Sequence, residues 1–126
     1  MANQEQLDLL KQGSDVWNTW RNQHASLLPD LSGANLTRAN LSGADLSEAG
    51  LTEADLTETD LSGADLSSAS LGGASLVRAN LSRTHLTGAY LYGTDFSGAD
   101  LSNTKLNEET RITQEQIGQA KPGRTL

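Results

Sequence analysis

The chain has no cysteine, two prolines and few aromatic residues, with two Trp, two Tyr and one Phe among 126 residues. The absence of cysteine excludes a disulfide framework, thiolate metal ligands and a cysteine nucleophile. No apolar run approaches the roughly 18 residues that span a bilayer, and the N-terminal residues lack the apolar core of a secretory signal peptide. These absences predict a single cytoplasmic domain that binds no membrane.

Apolar residues make up only 36% of the chain, and its mean hydropathy is −0.46. This composition is typical of chains that bury too little apolar surface to fold, so only a regular pattern can favour a packed core. The net charge is −7, and residues 30–108 account for all of it, with eleven acidic against four basic side chains. Because this charge repels phosphate backbones, we predict no binding to nucleic acid.

A five-residue repeat runs through the middle of the chain. Every fifth position from 31 to 106 holds leucine, except position 96, which holds phenylalanine. Two positions before each of these residues, from position 34 onwards, stands alanine in eleven of fifteen cases and threonine in the other four. The large apolar residues of the repeat form the predicted core: Leu31, Leu36, Leu41, Leu46, Leu51, Leu56, Leu61, Leu66, Leu71, Leu76, Leu81, Leu86, Leu91, Phe96, Leu101 and Leu106.

Neither regular secondary structure gathers these residues on one side. In an α-helix, five residues advance about 140° beyond a full turn, so the leucines would spiral around every face. In a straight strand, a step of five residues changes face each time. A chain that turns at every repeat instead directs every leucine to one axis; turns of about 90° would close a circuit in about twenty residues, with circuits stacked at the ordinary inter-strand spacing.

The repeated consensus Ala-(Asp/Asn)-Leu-(Ser/Thr)-Xaa over residues 30–108, in which Xaa is glycine or another residue, resembles the pentapeptide-repeat family. The resemblance implies an all-β solenoid, namely a right-handed quadrilateral β-helix of about four coils built from sixteen repeats. Residues 9–21, Leu-Leu-Lys-Gln-Gly-Ser-Asp-Val-Trp-Asn-Thr-Trp-Arg, are similar to a leader that precedes the repeats in bacterial members, notably cyanobacterial ones.

The first 29 residues are predicted to form a helical cap over the open end of the repeats, because an uncovered solenoid end exposes apolar side chains and unpaired strand edges. The spacing of apolar residues predicts a helix from Gln4 to about Arg21, with a Gly-Ser pair marking a bend. Trp17 and Trp20 fall near one stripe of this helix, and we expect them to cover the leucines of the first coil.

Residues 109–126 are predicted to form a second helical cap followed by a frayed tail. Thr113 is the predicted N-cap, and Gln116 three residues later completes a capping box. Ile112 and Ile117 flank this box at the spacing of a hydrophobic staple. The helix is expected to end before the Pro-Gly pair that follows it.

The remaining polar residues do not form a catalytic pattern. His24 and His85 are far apart in the sequence and lack neighbouring catalytic groups, and no calcium-loop motif occurs. We therefore predict no enzyme, cofactor or metal site. A twenty-residue circuit would place Glu58 between Arg38 and Arg78, which predicts a column of alternating charge on the outer surface.

Two functions fit these observations. The first is a non-catalytic structural or protein-interaction module with an unknown protein partner, monomeric because both ends are capped. The alternative is a DNA-mimicking inhibitor of a topoisomerase such as gyrase, a function that the family resemblance implies for some members. The acidic body favours the mimic, whereas four coils are short for an extended duplex site and Phe96 is the only phenylalanine at a core position.

Overall fold

A computed structural model describes residues 1–121, and the tail predicted beyond them lies outside the described residues. Within residues 1–121, three short helices lie near the ends: α1 (Gln4–Leu10), α2 (Ser14–Gln23) and α3 (Gln114–Gln119). The N-terminal helix predicted with a bend at its Gly-Ser pair is two helices, because the chain turns at Gly13, where φ is 111°. That backbone conformation favours glycine and ends the first helix.

Between α2 and α3 the chain forms isolated parallel bridges, each of which joins two residues twenty positions apart. The bridged pairs are Asp30–Gly50, Asn35–Asp55, Asn40–Asp60, Asp45–Asp65, Gly50–Ser70, Asp55–Ser75, Asp60–Asn80, Asp65–His85, Ser70–Tyr90, Ser75–Asp95, Asn80–Asp100 and His85–Lys105. We name the successive twenty-residue segments 30–49, 50–69, 70–89 and 90–109 coils 1 to 4.

Backbone hydrogen bonds join each coil to the next in both directions. The leucine N–H of a repeat donates to the coil that follows, as Leu31 does to the carbonyl of Gly50 at 2.7 Å. The residue before the leucine donates to the coil that precedes, as Asp55 does to the carbonyl of Ala34 at 2.9 Å. The twenty-residue register therefore satisfies backbone groups without long strands.

A tight turn occupies each repeat from the one at Leu31 to the one at Leu101. In the first repeat, the N–H of Ala34 donates to the carbonyl of Leu31 at 3.1 Å, and Gly33 between them has a φ of 69°. A positive φ at the third residue is the feature of a type II turn, which explains the frequent glycine at this position. Glu53 and seven other non-glycine residues of the described chain adopt a similar φ of 56–60°.

The core runs along the axis of the coils. Fifteen of the sixteen predicted core side chains are at most 1% exposed, and most of the preceding alanines are buried beside them. Leu106 is the exception, because it is only partly buried and packs at the edge of the core. The contacts of α3 explain this difference: the helix bonds to residues 91–99 on another part of coil 4, which leaves the Leu106 end less covered.

Candidate interaction surfaces

Polar side chains of α1 and α2 bond to the open edge of coil 1. The Gln6 Oε1 atom accepts from the N–H of Asp30 at 2.8 Å, and Asn18 Oδ1 accepts from the N–H of Asp45 at 2.7 Å. The indole N–H of Trp17 donates to the carbonyl of Asp45 at 2.7 Å. These side chains replace the backbone partners that a preceding coil would supply, so this part of the edge is paired.

The two tryptophans differ in their burial. Trp17 is fully buried, whereas Trp20 is half-buried and packs between Trp17 and His24, with ring centroids 5.2 Å and 5.1 Å away. Arg21 is also buried, and its guanidinium donates to the carbonyl oxygens of Asp45 at 2.8 Å and Ser47 at 3.1 Å. Sequence reasoning missed Arg21 because an arginine near a helix end is usually solvent-exposed.

Gln116 is the central polar residue of the C-terminal cap. It forms the predicted capping box, accepting from the N–H of Thr113 at 2.9 Å while Thr113 Oγ1 accepts from the N–H of Gln116 at 3.0 Å. Its Nε2 also donates to the carbonyl of Leu91 at 2.7 Å, so Gln116 joins α3 to coil 4. Ile112 and Ile117, the predicted staple, are both only half-buried.

Aspartates and asparagines before the core leucines bond within their own turns. Asp55 Oδ1 accepts from the N–H of Thr57 at 3.0 Å, and Asp95 Oδ1 accepts from the N–H and hydroxyl of Ser97 at 2.9 Å and 2.6 Å. Hydrogen bonds from the Thr57 hydroxyl and N–H lower the pKa of Asp55, and those from Ser97 lower the pKa of Asp95 in the same way. These carboxylates stabilise turns and supply the acidic surface at neutral pH.

The predicted column of alternating charge is present. The Glu58 Oε1 atom lies 3.6 Å from Arg38 Nε and 3.5 Å from Arg78 Nη2, so one carboxylate pairs with arginines in the coils on both sides. All three side chains are exposed, and the pairs therefore add little to stability.

Two exposed tyrosines interrupt the small side chains on one face of the coils. Tyr90 forms a bridge with Ser70 in coil 3, and its side chain is 55% exposed, while that of Tyr92 is 77% exposed. Their ring centroids are 6.4 Å apart, and the Tyr90 ring lies over the backbone of Gly72. Beside them, a groove between coil 4 and the C-terminal cap is lined by residues that include Tyr90, Tyr92, Gly93, Asp95, Arg111 and Glu115.

Residues 30–67 and 64–103 match a family model described as Pentapeptide repeats, in eight copies. The chain belongs to the pentapeptide repeat family. Among solved structures, a pentapeptide repeat protein from the thylakoid lumen of Arabidopsis thaliana is 30% identical to it, over 71% of this chain and 68% of that chain, with a TM-score of 0.41.

Two cyanobacterial structures are also similar to this pentapeptide repeat protein. HetL from Nostoc sp. strain PCC 7120, involved in heterocyst differentiation regulation, is 34% identical over 67% of this chain, which spans 47% of HetL, with a TM-score of 0.35. Another pentapeptide repeat protein from the same strain is 25% identical over 82% of this chain and 93% of that chain, with a TM-score of 0.38. No curated protein sequence matches the chain.

Both histidines of this pentapeptide repeat protein are exposed. His24 lies on the N-terminal cap, where its Nδ1 is 2.9 Å from the carbonyl oxygen of Trp20, and the exposed His85 lies in coil 3. Within residues 1–121, no three His, Cys, Asp or Glu side chains are grouped so that they could hold a metal ion. None of the helices in this range is long and apolar enough to cross a membrane.

Proposed function

We propose that this protein is a non-catalytic protein-interaction module whose repeats form a right-handed, four-sided β-helix with helical caps. The exposed pair Tyr90 and Tyr92 carries the proposal. The position of Tyr90 is occupied by Asp, Gly and Ser in coils 1, 2 and 3, and the position of Tyr92 by Ser, Thr and Gly. The aromatic pair is therefore confined to coil 4. Tyrosine is enriched among the residues that dominate the binding energy of protein interfaces, because its large ring loses little side-chain entropy when bound.

Affinity purification from the native host tests this role. Three proteins are immobilised in parallel: the full chain, a Tyr90→Ala/Tyr92→Ala variant and a Ser32→Ala/Thr52→Ala control. The control truncates the residues that occupy the position of Tyr92 in coils 1 and 2. We expect a specific protein to bind the full chain and the control and to be lost with the tyrosine variant. A partner retained by the tyrosine variant would support the interaction module but place its contact elsewhere, whereas no specific partner would contradict the module.

A DNA-mimicking inhibitor of a topoisomerase is the second candidate. The net charge of −7 supports it, because acidic surface can replace the phosphates of a duplex. The Arg38–Glu58–Arg78 column weakens it, since arginines interrupt the negative charge on that side of the coils. A gyrase supercoiling assay separates the two functions: the interaction module predicts no inhibition, and inhibition at concentrations near that of the enzyme would favour the mimic.

The monomeric state, the cytoplasmic location and the absence of nucleic-acid and membrane binding also belong to this proposal. The acidic body supports the absence of nucleic-acid binding, because it repels phosphates. Bonds from both caps to the end coils support a monomer, since they cover parts of both edges.

A further inference from the structure

Among residues 1–121, two backbone N–H donors of coil 4 beside the tyrosine pair, at the edge that faces the C-terminal cap, have no acceptor. In coils 1 to 3, the corresponding donors bond to carbonyls two residues apart in the next coil. In coil 3, Leu71 N–H donates to Tyr90 at 2.8 Å and Gly73 N–H donates to Tyr92 at 2.9 Å. In coil 4, the N–H groups of Leu91 and Gly93 have no acceptor among residues 1–121. The ladder of hydrogen bonds on this face therefore ends with two donors at the spacing that pairs with an extended chain.

The C-terminal cap continues the ladder only on the neighbouring part of coil 4. The Gln119 carbonyl accepts from the N–H of Gly98 at 2.8 Å, and the N–H of Lys121 donates to the carbonyl of Ala99 at 2.8 Å. On the tyrosine side, Gln116 bonds to the carbonyl oxygens of Leu91 and Thr94 but not to the open N–H groups. The cap thus forms one wall of the groove, and no residue between 1 and 121 pairs with the N–H groups of this section of the edge.

We propose that an extended, basic segment of a protein partner binds this groove as an additional strand of coil 4. Two of its carbonyl oxygens, two residues apart, accept from the N–H groups of Leu91 and Gly93, and one of its side chains packs against Tyr92. This mode is strand addition to an open sheet edge, in which main-chain bonds supply affinity and neighbouring side chains supply selectivity. The inference rests on the proposed interaction role and locates its contact surface.

The charges around the groove favour a basic segment. Asp95 and Glu115 line it together with Arg111, and the chain as a whole carries a net charge of −7. An acidic segment would meet two carboxylates at short range and the repulsion of the whole body, whereas Lys or Arg side chains would meet complementary charge. Arg111 is one basic side chain against two acidic ones in this lining, so the net charge of the groove stays negative.

A display library of random seven-residue peptides tests the proposal with the full-length protein as the target. We expect enriched peptides to contain Lys or Arg and to bind more weakly as salt rises. Tyr92→Ala should weaken a synthetic copy of an enriched peptide by about tenfold or more, because it removes the aromatic contact at the centre of the site. Thr52→Ala is the matched control, since Thr52 occupies the corresponding position of coil 2 and is exposed there, and it should leave the affinity unchanged.

Amide hydrogen exchange measured by NMR reports the binding mode directly. Saturating peptide should slow the exchange of the Leu91 and Gly93 amides by about tenfold or more, whereas the Leu71 and Gly73 amides, already bonded in the free protein, should change little. Peptides that bind without protecting Leu91 and Gly93, or that bind the Tyr92→Ala variant equally well, would overturn strand addition.

Two further results would also overturn it. The first is a library without enriched peptides; if affinity purification still captures a specific partner, the interaction module stands and only this groove is excluded. The second is sedimentation of the full chain as a dimer that Tyr92→Ala converts to a monomer, because the occupant of the groove would then be a second copy of the chain.

Discussion

The Oγ1 atom of Thr59 lies 2.8 Å from the carbonyl oxygen of Leu36, which precedes it by one coil and three residues. Thr84 and Thr94 make the same contact with Leu61 and Leu71, at 2.7 Å in both cases. These three threonines at the small inward position therefore add a side-chain hydrogen bond between neighbouring coils, which alanine cannot make, whereas Thr104 donates to the carbonyl of Leu101 in its own turn at 2.8 Å.

Replacing Thr59 by valine removes this bond while keeping nearly the same volume. The Leu36 carbonyl retains its bond from the N–H of Ala39 at 3.1 Å, so no acceptor is left unpaired. We expect Thr59→Val to lower the free energy of unfolding by about 0.5–1.5 kcal/mol. Denaturant unfolding measures the loss, with Thr52→Val on the exposed surface as the control. Equal stability of the two variants would show that the buried hydroxyl bond contributes nothing.

The charge column predicts a salt-dependent effect at one glutamate and not at another. Glu58→Arg places three arginines in one column, whereas Glu53→Arg places an arginine beside Gly73. The two glutamates have φ values of 57° and 60°, so both substitutions meet a similar backbone. At low salt we expect Glu58→Arg to be less stable than Glu53→Arg by about 0.5–1.5 kcal/mol, with the gap narrowing in high salt. Equal melting temperatures of the two variants at low salt would show that the ion pairs of Glu58 with its two arginines do not stabilise the fold.

The lowered pKa of Asp55 predicts how acid affects its turn. Hydrogen bonds from Thr57 stabilise the ionised carboxylate in the folded state, so the folded pKa lies below the unfolded one. The stability contributed by Asp55 is then present above the unfolded pKa and is lost as the pH falls through the folded pKa. Asp55→Asn keeps an acceptor oxygen, as Asn35 and Asn40 show in coil 1, but does not titrate.

We expect the difference in Tm between the wild type and Asp55→Asn to shrink as the pH falls from about 5 to about 2.5. Thermal unfolding followed by circular dichroism measures this convergence. A Tm difference that stays constant over this range would show that the turn does not depend on ionisation of Asp55.

The C-terminal cap predicts the oligomeric state. The full chain should sediment as a monomer, whereas truncation after Glu108 removes α3 and should uncover the part of coil 4 to which α3 bonds. The truncated chain should dimerise or aggregate through its open edge. Truncation after Lys121 keeps α3 and serves as the control, so it should remain monomeric. Sedimentation velocity distinguishes these species, and a full-length dimer would contradict the capping argument.

Much of the architecture follows from the sequence alone. The spacing of five between large apolar residues indicates which side chains share an axis, because no straight helix or strand can bury them together. The capping box of Thr113 and Gln116 is equally local, since both partners lie within one turn of chain. The Arg38–Glu58–Arg78 column needs only the twenty-residue circuit. Each of these predictions depends only on the number of residues between two positions, and the sequence gives that number directly.

The tertiary structure alone decided how the ends of the repeats are covered. Arg21 is buried and Leu106 is partly open because the caps bond to particular sections of the end coils and not to others. No residue spacing in the sequence specifies where a helix packs on an edge of unpaired backbone groups. For the same reason, the contacts of α3 and not the repeat decide that the N–H groups of Leu91 and Gly93 have no acceptor among residues 1–121. Burial at the ends depends on packing between segments that the repeat does not relate to one another.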